Sequence, residues 1–382
     1  MDLIGDDMNW FEKLLQIIVN RLFNRHYHIV TETTSFDLNR EEPYFLIGNH
    51  ASQHDPILVG MQLRPYPYPV AASLIYTNKW INFGLTKMIT SIPKRKGQSD
   101  IQTIRSILKA FNEDKRSIMI FPEGNASYFG EQTDMDFLTT AKLVKKLKKD
   151  VVLAKINGGY LSSPRWGKKR DKPHFHIHYQ MLLTKEEMEV MSVDDIELDI
   201  RNALKFNDYD WNRVNQFKYT GKNLSEGVER YLYVCPVCEA TQSLSAKKND
   251  IFCSHCGKIA HFNDYGLIEG LPFDNLVPWA KLQKTFIPSI IENEVRTSGF
   301  VNLIDFEKIK RIKLGEKQMI INKESITMFD HKTSKQLLIS KIESPVIIQN
   351  FNLSFDYEKD TYWIYMKDPM LVLDILTHLK GV

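Results

Sequence analysis

Nowhere does the sequence approach the roughly 18 uninterrupted apolar residues that a membrane-spanning helix needs, so no transmembrane segment is expected. Cysteine is scarce, at four in 382 residues, which argues against a disulfide-stapled secreted scaffold. Net charge is nearly absent too. Fifty basic residues face 47 acidic ones, leaving +3, and so small a surplus gives no wholesale attraction for nucleic acid. The opening Met-Asp-Leu-Ile-Gly-Asp-Asp is acidic where a secretory signal would be basic, so a cytoplasmic location is expected. There is no internal repeat and no low-complexity tract.

What remains is the composition of a folded chain, 43% hydrophobic and 25% charged, long enough for two or three domains. Residues 1–25 form an amphipathic pattern in which Trp10, Phe11, Leu14, Leu15, Ile18, Leu22 and Phe23 recur at helical spacing. Such a helix either packs on its own domain or lies in a membrane interface. From 26 to 205, apolar runs alternate with helical patterns. Tyr44 to Gly48, Tyr68 to Ile75, Ser117 to Phe121, Val151 to Ile156 and Phe175 to Leu183 read as strands. Pro56 to Gln62, Ile101 to Phe111 and Phe137 to Leu147 read as helices. This alternation predicts an α/β domain with a mixed, largely parallel sheet flanked by helices. Ligands of such sheets sit beyond the carboxyl ends of the strands.

Residues 206–232 read as a connector, 233–265 as a cysteine-bearing module and 266–299 as a linker. Residues 300–382 show short strands, among them Gln318 to Ile321, Leu337 to Ile342 and Tyr362 to Met366, before a closing helical pattern from Met370 to Leu379. Several strands and one terminal helix resemble the pleckstrin-homology superfold.

Two blocks carry the chemistry. In Tyr44-Phe-Leu-Ile-Gly-Asn-His-Ala-Ser-Gln-His-Asp-Pro, His50 and Asp55 lie five residues apart. Five residues of regular helix would turn them about 140° from each other. They meet only if His50 ends a strand and Asp55 opens the next helix, an arrangement favoured by Pro56 in the first turn. A neutral imidazole then removes the proton of an attacking alcohol, and a carboxylate on its far nitrogen fixes the tautomer. The bare His-x4-Asp pattern is expected on the order of once by chance in such a chain, so context must decide. His54 is a rival base. The second block, Ser117-Ile-Met-Ile-Phe-Pro-Glu-Gly-Asn-Ala-Ser, runs an apolar strand into a tight Pro122-Glu123-Gly124 turn.

The first block followed about seventy residues later by Phe121-Pro122-Glu123-Gly124 resembles the lysophosphatidate and glycerol-phosphate acyltransferase family across residues 26–205. That resemblance implies acyl transfer from a thioester, acyl-CoA or acyl-ACP, to a glycerol-phosphate or lysophospholipid hydroxyl, with His50 and Asp55 catalytic. It implies that Glu123 and Gly124 help to hold the acceptor. It further implies a phosphate-binding arginine in Ile92-Pro-Lys-Arg-Lys-Gly97, with Arg95 its closest equivalent and Lys94 beside it; a guanidinium suits a phosphate because its planar fork bonds two oxygens. The chain departs from the family after Pro-Glu-Gly, where Asn125 and Ala126 replace a hydroxyl residue and an arginine. Ala154 also stands where a proline is common.

All four cysteines fall in Cys235-Pro-Val-Cys238 and Cys253-Ser-His-Cys256. Two C-x2-C hooks are the pattern of a zinc ribbon, with four thiolates closing a structural zinc site; a redox pair is the alternative. Lysines crowd 142–149, and Arg165, Lys168, Lys169, Arg170 and Lys172 follow, with Trp166 among them as a candidate interfacial anchor. Together these readings predict a peripheral enzyme on the inner face of the membrane. Its partners would be membrane lipid, an acyl thioester donor and, for an ACP-dependent enzyme, acyl carrier protein. The alternative is a non-catalytic membrane adaptor on a degenerate acyltransferase fold.

Overall fold

The computed structural model describes residues 4–77, 90–94, 101–133, 135–168, 170–308 and 310–381; in the first helix it describes the side chains of Leu14 and of residues 16 onward. The chain divides into two compact units, Met1–Ser163 with Arg170–Tyr219, and Pro164–Lys169 with Thr220–Val382.

The first unit is built on a seven-stranded sheet of strands β1 (His28–Thr34), β2 (Phe45–Gly48), β3 (Tyr68–Ala72), β4 (Ile92–Lys94), β5 (Ile118–Ile120), β6 (Val151–Asn157) and β7 (His174–Leu183). Their order is β1-β7-β6-β2-β5-β3-β4. From β6 through β2, β5 and β3 to β4, neighbours run parallel, whereas β7 runs antiparallel to β6 and parallel to β1. The sheet is therefore mixed and largely parallel. The central strands are short apolar runs with no alternation because both faces are covered. Phe45, Ile47, Ile118, Val151 and Leu153 are buried together with Ile107 and Phe111 of the helix Ile101–Asn112, Val144 of Leu138–Leu147, and Ile196 and Ile200 of Val193–Leu204. The helices Lys185–Val190 and Val193–Leu204 start at capping boxes on Thr184 and Ser192, each satisfying backbone donors that a helix end leaves open.

Helix α1 (Ile4–His26) lies beside helix α2 (Asp55–Gly60). Gln16 is buried and donates to the Leu63 carbonyl (3.1 Å), and Asn20 donates to that of Met61 (2.9 Å). At the other end of α2, the Tyr27 hydroxyl meets Nδ1 of His54 at 2.8 Å. Positions 16, 20, 23 and 27 share one helical face at about 100° per residue. Leu14, Ile17, Ile18 and Leu22 lie on the opposite face and are exposed, Leu22 by 55%. Among the described side chains of α1, Gln16, Asn20 and Phe23 face the domain, and Leu14, Ile17, Ile18 and Leu22 are exposed. No helix among the described residues is long and apolar enough to cross a membrane.

In the second unit, strands β8 (Leu244–Lys247), β9 (Asp250–Cys253), β10 (Gly257–Phe262) and β11 (Ile268–Glu269) form an antiparallel sheet around the cysteines. Beyond it, β12 (Val295–Asp305), β13 (Lys310–Ile321), β14 (Ser325–Phe329), β15 (Ser334–Leu338), β16 (Ile342–Ile348), β17 (Asn352–Tyr357) and β18 (Asp360–Met366) make a seven-stranded sheet, closed by the helix Pro369–Lys380. That β-rich region is the one expected from the strand pattern, although β13 is far longer than its apolar end suggested.

The stretch 266–299, expected as linker, holds the helix Leu276–Thr285. Its Trp279 is fully buried and donates to the Val234 carbonyl at 2.8 Å. The stretch 206–232, expected as connector, holds the helix Asp208–Asn215.

One expectation is overturned outright. Trp166 is only 3% exposed and packs on Phe262, with ring centroids 5.5 Å apart, so it is no interfacial anchor. Its neighbour Arg165 is buried as well and donates to the carbonyls of Ile347 (2.6 Å) and Gln349 (2.7 Å). Arg170, within the first unit, is also buried. The second basic cluster is thus no continuous cationic surface, because two of its arginines serve the interior.

Candidate active site

Strand β2 ends at Gly48, where a Cβ would meet the Phe121 ring at 3.0 Å and the Ala154 carbonyl at 3.1 Å; only glycine lets the strands converge so closely. Asn49 then ties the turn to β6. Its amide donates to the Ile156 carbonyl (2.9 Å) and accepts the Ile156 N–H (2.8 Å). His50 follows, its main chain held on both sides by the second block. Its N–H donates to Glu123 Oε1 (2.8 Å), and its carbonyl accepts the Ser127 N–H (2.8 Å).

Asp55 is the first residue of α2 and is fully buried. Its Oδ2 lies 2.9 Å from His50 Nδ1 and also accepts the Ser52 N–H at 2.8 Å, while Oδ1 accepts the Ser52 hydroxyl at 2.7 Å. A carboxylate already holding two donors from Ser52 can only accept from the ring, so the proton belongs on Nδ1. Nε2 keeps its lone pair. The His50 side chain is 14% exposed, and the Phe121 ring lies 4.7 Å from the imidazole, centroid to centroid. Among the described residues no hydroxyl or thiol bonds Nε2, so a proton taken there must come from an incoming group.

Because β2 and β5 are parallel neighbours, the Phe121–Gly124 turn emerges beside His50. The Gly124 N–H closes the turn on the Phe121 carbonyl at 2.9 Å, and Gly124 itself is exposed with φ at +65°, a left-handed conformation that favours glycine. Glu123 is only 5% exposed. Burial pushes its carboxyl up to about 8, against the bond from His50. Ala126 is buried where the resemblance led to an arginine, and Asn125 donates to the Tyr128 hydroxyl at 2.8 Å. Lys94 is exposed at the carboxyl end of β4, the end of the sheet that also bears His50 and Glu123. Arg95 lies outside the described residues.

Residues 29–154 match the family model described as Acyltransferase. Over that stretch the chain has the sequence pattern of the Acyltransferase family. The domain is similar to the 1-acyl-sn-glycerol-3-phosphate acyltransferase of Saccharomyces cerevisiae, 28% identical over 169 residues, which cover 41% of this chain and 54% of that protein. The chain thus spans about half the length of this curated relative. Among solved structures, the 1-acyl-sn-glycerophosphate (LPA) acyltransferase PlsC from Thermotoga maritima aligns over 56% of this chain and 84% of its own, at 15% identity and a TM-score of 0.44.

Several residues of the acyltransferase domain's centre escaped the sequence reading. Asn49 and Ser52 sit inside the first block, yet their partners are set by the fold. His54, read as a rival base, has its Nδ1 bonded to Tyr27 at 2.8 Å. Burial lowers its basicity. Asp208 is fully buried and accepts the main-chain N–H groups of Gly158 (3.0 Å) and Tyr160 (2.7 Å); burial raises its carboxyl to about 7.

In the second unit the Sγ atoms of Cys235, Cys238, Cys253 and Cys256 lie within 4.8 Å of one another. Cys253 ends β9 and Cys256 precedes β10, so one hook is a hairpin turn. The other is a tight turn in which the Glu239 N–H bonds the Cys235 carbonyl at 2.9 Å. Cys238 and Cys253 sulfurs are 3.7 Å apart. A tetrahedral zinc with bonds of about 2.3 Å separates its sulfurs by about 3.8 Å, so the cluster fits that ion.

Proposed function

We propose that this protein transfers a fatty acyl group from an acyl thioester to a hydroxyl of a glycerol-phosphate or lysophospholipid acceptor, as a step of phospholipid synthesis. The observation that carries the reading is the His50–Asp55 contact with Nε2 left open. His50 takes the acceptor's hydroxyl proton on Nε2 as the oxygen attacks the thioester carbonyl. Asp55 stabilises the imidazolium so formed. The tetrahedral adduct collapses, the C–S bond breaks, and the proton returns from His50 to the departing thiolate. No covalent enzyme intermediate is required. The donor is acyl-CoA or acyl-ACP, and in the second case acyl carrier protein is a partner.

On this reading Gly124, Lys94 and Arg95 receive the acceptor head group. Glu123 contributes from beneath by holding the His50 main chain. The loss of a cation at Ala126 leaves more of the phosphate contact to the β4 end. The cysteines hold structural zinc. Four thiolates complete its coordination, so the metal supplies folding energy rather than chemistry. The uncovered Leu14, Ile17, Ile18 and Leu22 stripe lies in the lipid surface, which makes the protein peripheral, on the inner face of the membrane where thioester donors are present.

The test is an acyl-transfer assay of the purified protein with acyl-CoA and acyl-ACP, offering lysophosphatidate, glycerol 3-phosphate and other lysolipids. The expected result is acceptor-dependent release of thiol, slowed about 10²- to 10⁴-fold in His50→Ala. Undiminished turnover by that variant, or no transfer with any acceptor, overturns the reading; the second outcome favours the adaptor.

A further inference from the structure

Asp55 is held from the rear as well as from the front. His54 precedes it, and its N–H donates to the Ser52 hydroxyl at 3.2 Å, the hydroxyl that in turn donates to Asp55 Oδ1. The carbonyl of His54 accepts the N–H groups of Ile57 (3.1 Å) and Leu58 (3.0 Å), starting α2. No side chain caps that helix from position 54, so the imidazole is free to bond elsewhere, and it bonds the Tyr27 hydroxyl. Burial raises the phenol to about 12 and lowers the imidazole. Both are therefore neutral at neutral pH, so the contact is a neutral hydrogen bond whose direction follows the imidazole tautomer. The Tyr27 ring is itself fixed against Phe175, edge to face at 6.2 Å, and against Phe23, stacked at 5.9 Å. With Gln16 and Asn20 at the other end of α2, helix α1 and the residue that follows it thus hold α2 at both ends.

We propose that Tyr27 and His54 are positioning residues for the His50–Asp55 pair, and that through them α1 forms the strut on which the acid of the pair is aligned. The inference rests on the acyl-transfer reading. A second consequence comes from the same helix. Its opposite face is the apolar stripe, so the element that meets lipid is the element that braces Asp55.

The test compares Tyr27→Phe, His54→Leu and His54→Asn in the acyl-transfer assay on vesicles of phosphatidylglycerol and phosphatidylcholine containing the acceptor. Tyr27→Phe keeps the ring and loses only the hydroxyl; a lost neutral hydrogen bond is expected to lower kcat about three- to tenfold with acceptor KM unchanged. His54→Leu should match it, and the double variant should be no worse than either single one. His54→Asn, which returns an amide able to donate or accept near the Nδ1 position, should recover most of the rate. Vesicle co-sedimentation should remain at its wild-type value in Tyr27→Phe, and the melting temperature should fall only slightly. Wild-type kcat in Tyr27→Phe, additive losses, or failure of His54→Asn to rescue would overturn the proposal. Absence of transfer by the wild-type protein would instead strike the underlying activity, and this inference with it.

Discussion

Glu123 accepts the main-chain N–H of His50 at 2.8 Å across 73 positions of sequence, so the two sequence blocks are joined through a hydrogen bond to the backbone. The carboxyl that makes the bond is buried and pushed up to about 8 from an ordinary 4.5. The folded protein therefore holds a proton that the unfolded chain gives up. Between about pH 4.5 and 8 stability should fall as pH rises, by at most about 1.4 kcal/mol per unit from this group. In Glu123→Gln that fall disappears. Melting temperatures of the two proteins should lie closest near pH 5 and diverge in favour of the variant by pH 9. Parallel profiles would show that Glu123 is ionised in the fold.

Asp55→Asn replaces an acceptor of three hydrogen bonds by a group that can donate. The amide either turns its nitrogen on Ser52 or fails to hold Nδ1–H on His50. Turnover should drop by up to about 10⁴-fold with a small change in acceptor KM, and stability by about 1–3 kcal/mol from the disturbed Ser52 bonds. Chemical denaturation beside steady-state kinetics separates the two effects.

The exposed face of α1 gives a prediction of opposite character. Serine at Leu14, Ile18 and Leu22 together removes apolar side chains that are 39%, 47% and 55% exposed. The unfolding midpoint should hold, since each is a surface change within about 0.5 kcal/mol. Binding to lipid vesicles, read by flotation, should weaken by at least about tenfold. A lowered melting point with unaltered flotation would mean that the stripe packs on protein.

Metal content tests the cysteine cluster. The purified chain should carry one zinc, and Cys253→Ser should carry almost none. A strong chelator should lower the melting of the second unit, because ion binding and folding are one equilibrium for so small a module. An unchanged transition after verified metal loss would remove zinc from the account of stability.

Much of the first unit was legible because its central strands are uninterrupted apolar runs, which both-face burial requires, and because Pro56 marks a helix start next to Asp55. The five-residue spacing called for a strand end and a first helical turn, and the ring and carboxylate do lie at bonding distance. The four sulfurs were legible from local spacing alone. What escaped was non-local. Periodicity revealed that α1 has an apolar side but not which side docks, since that is decided by carbonyls of Met61 and Leu63 more than forty positions away. Trp166 looked like an anchor among lysines because nothing near it in sequence announces Phe262. The helix around Trp279 hid in an apparent linker, where Asn275 caps it by accepting the Val277 N–H.

The six residues Pro164–Lys169 belong with a body whose remaining chain begins only at Thr220. No single cut in the gene therefore separates the two units. A chain ended at residue 219 would retain Arg165 and Trp166 without Ile347, Gln349 or Phe262, the groups that bury them. During synthesis the same six residues leave the ribosome long before those partners exist. The cysteine-bearing unit can bury Arg165 and Trp166 only once residues 262 and 347–349 have also been made, which ties that step to contacts of high sequence separation.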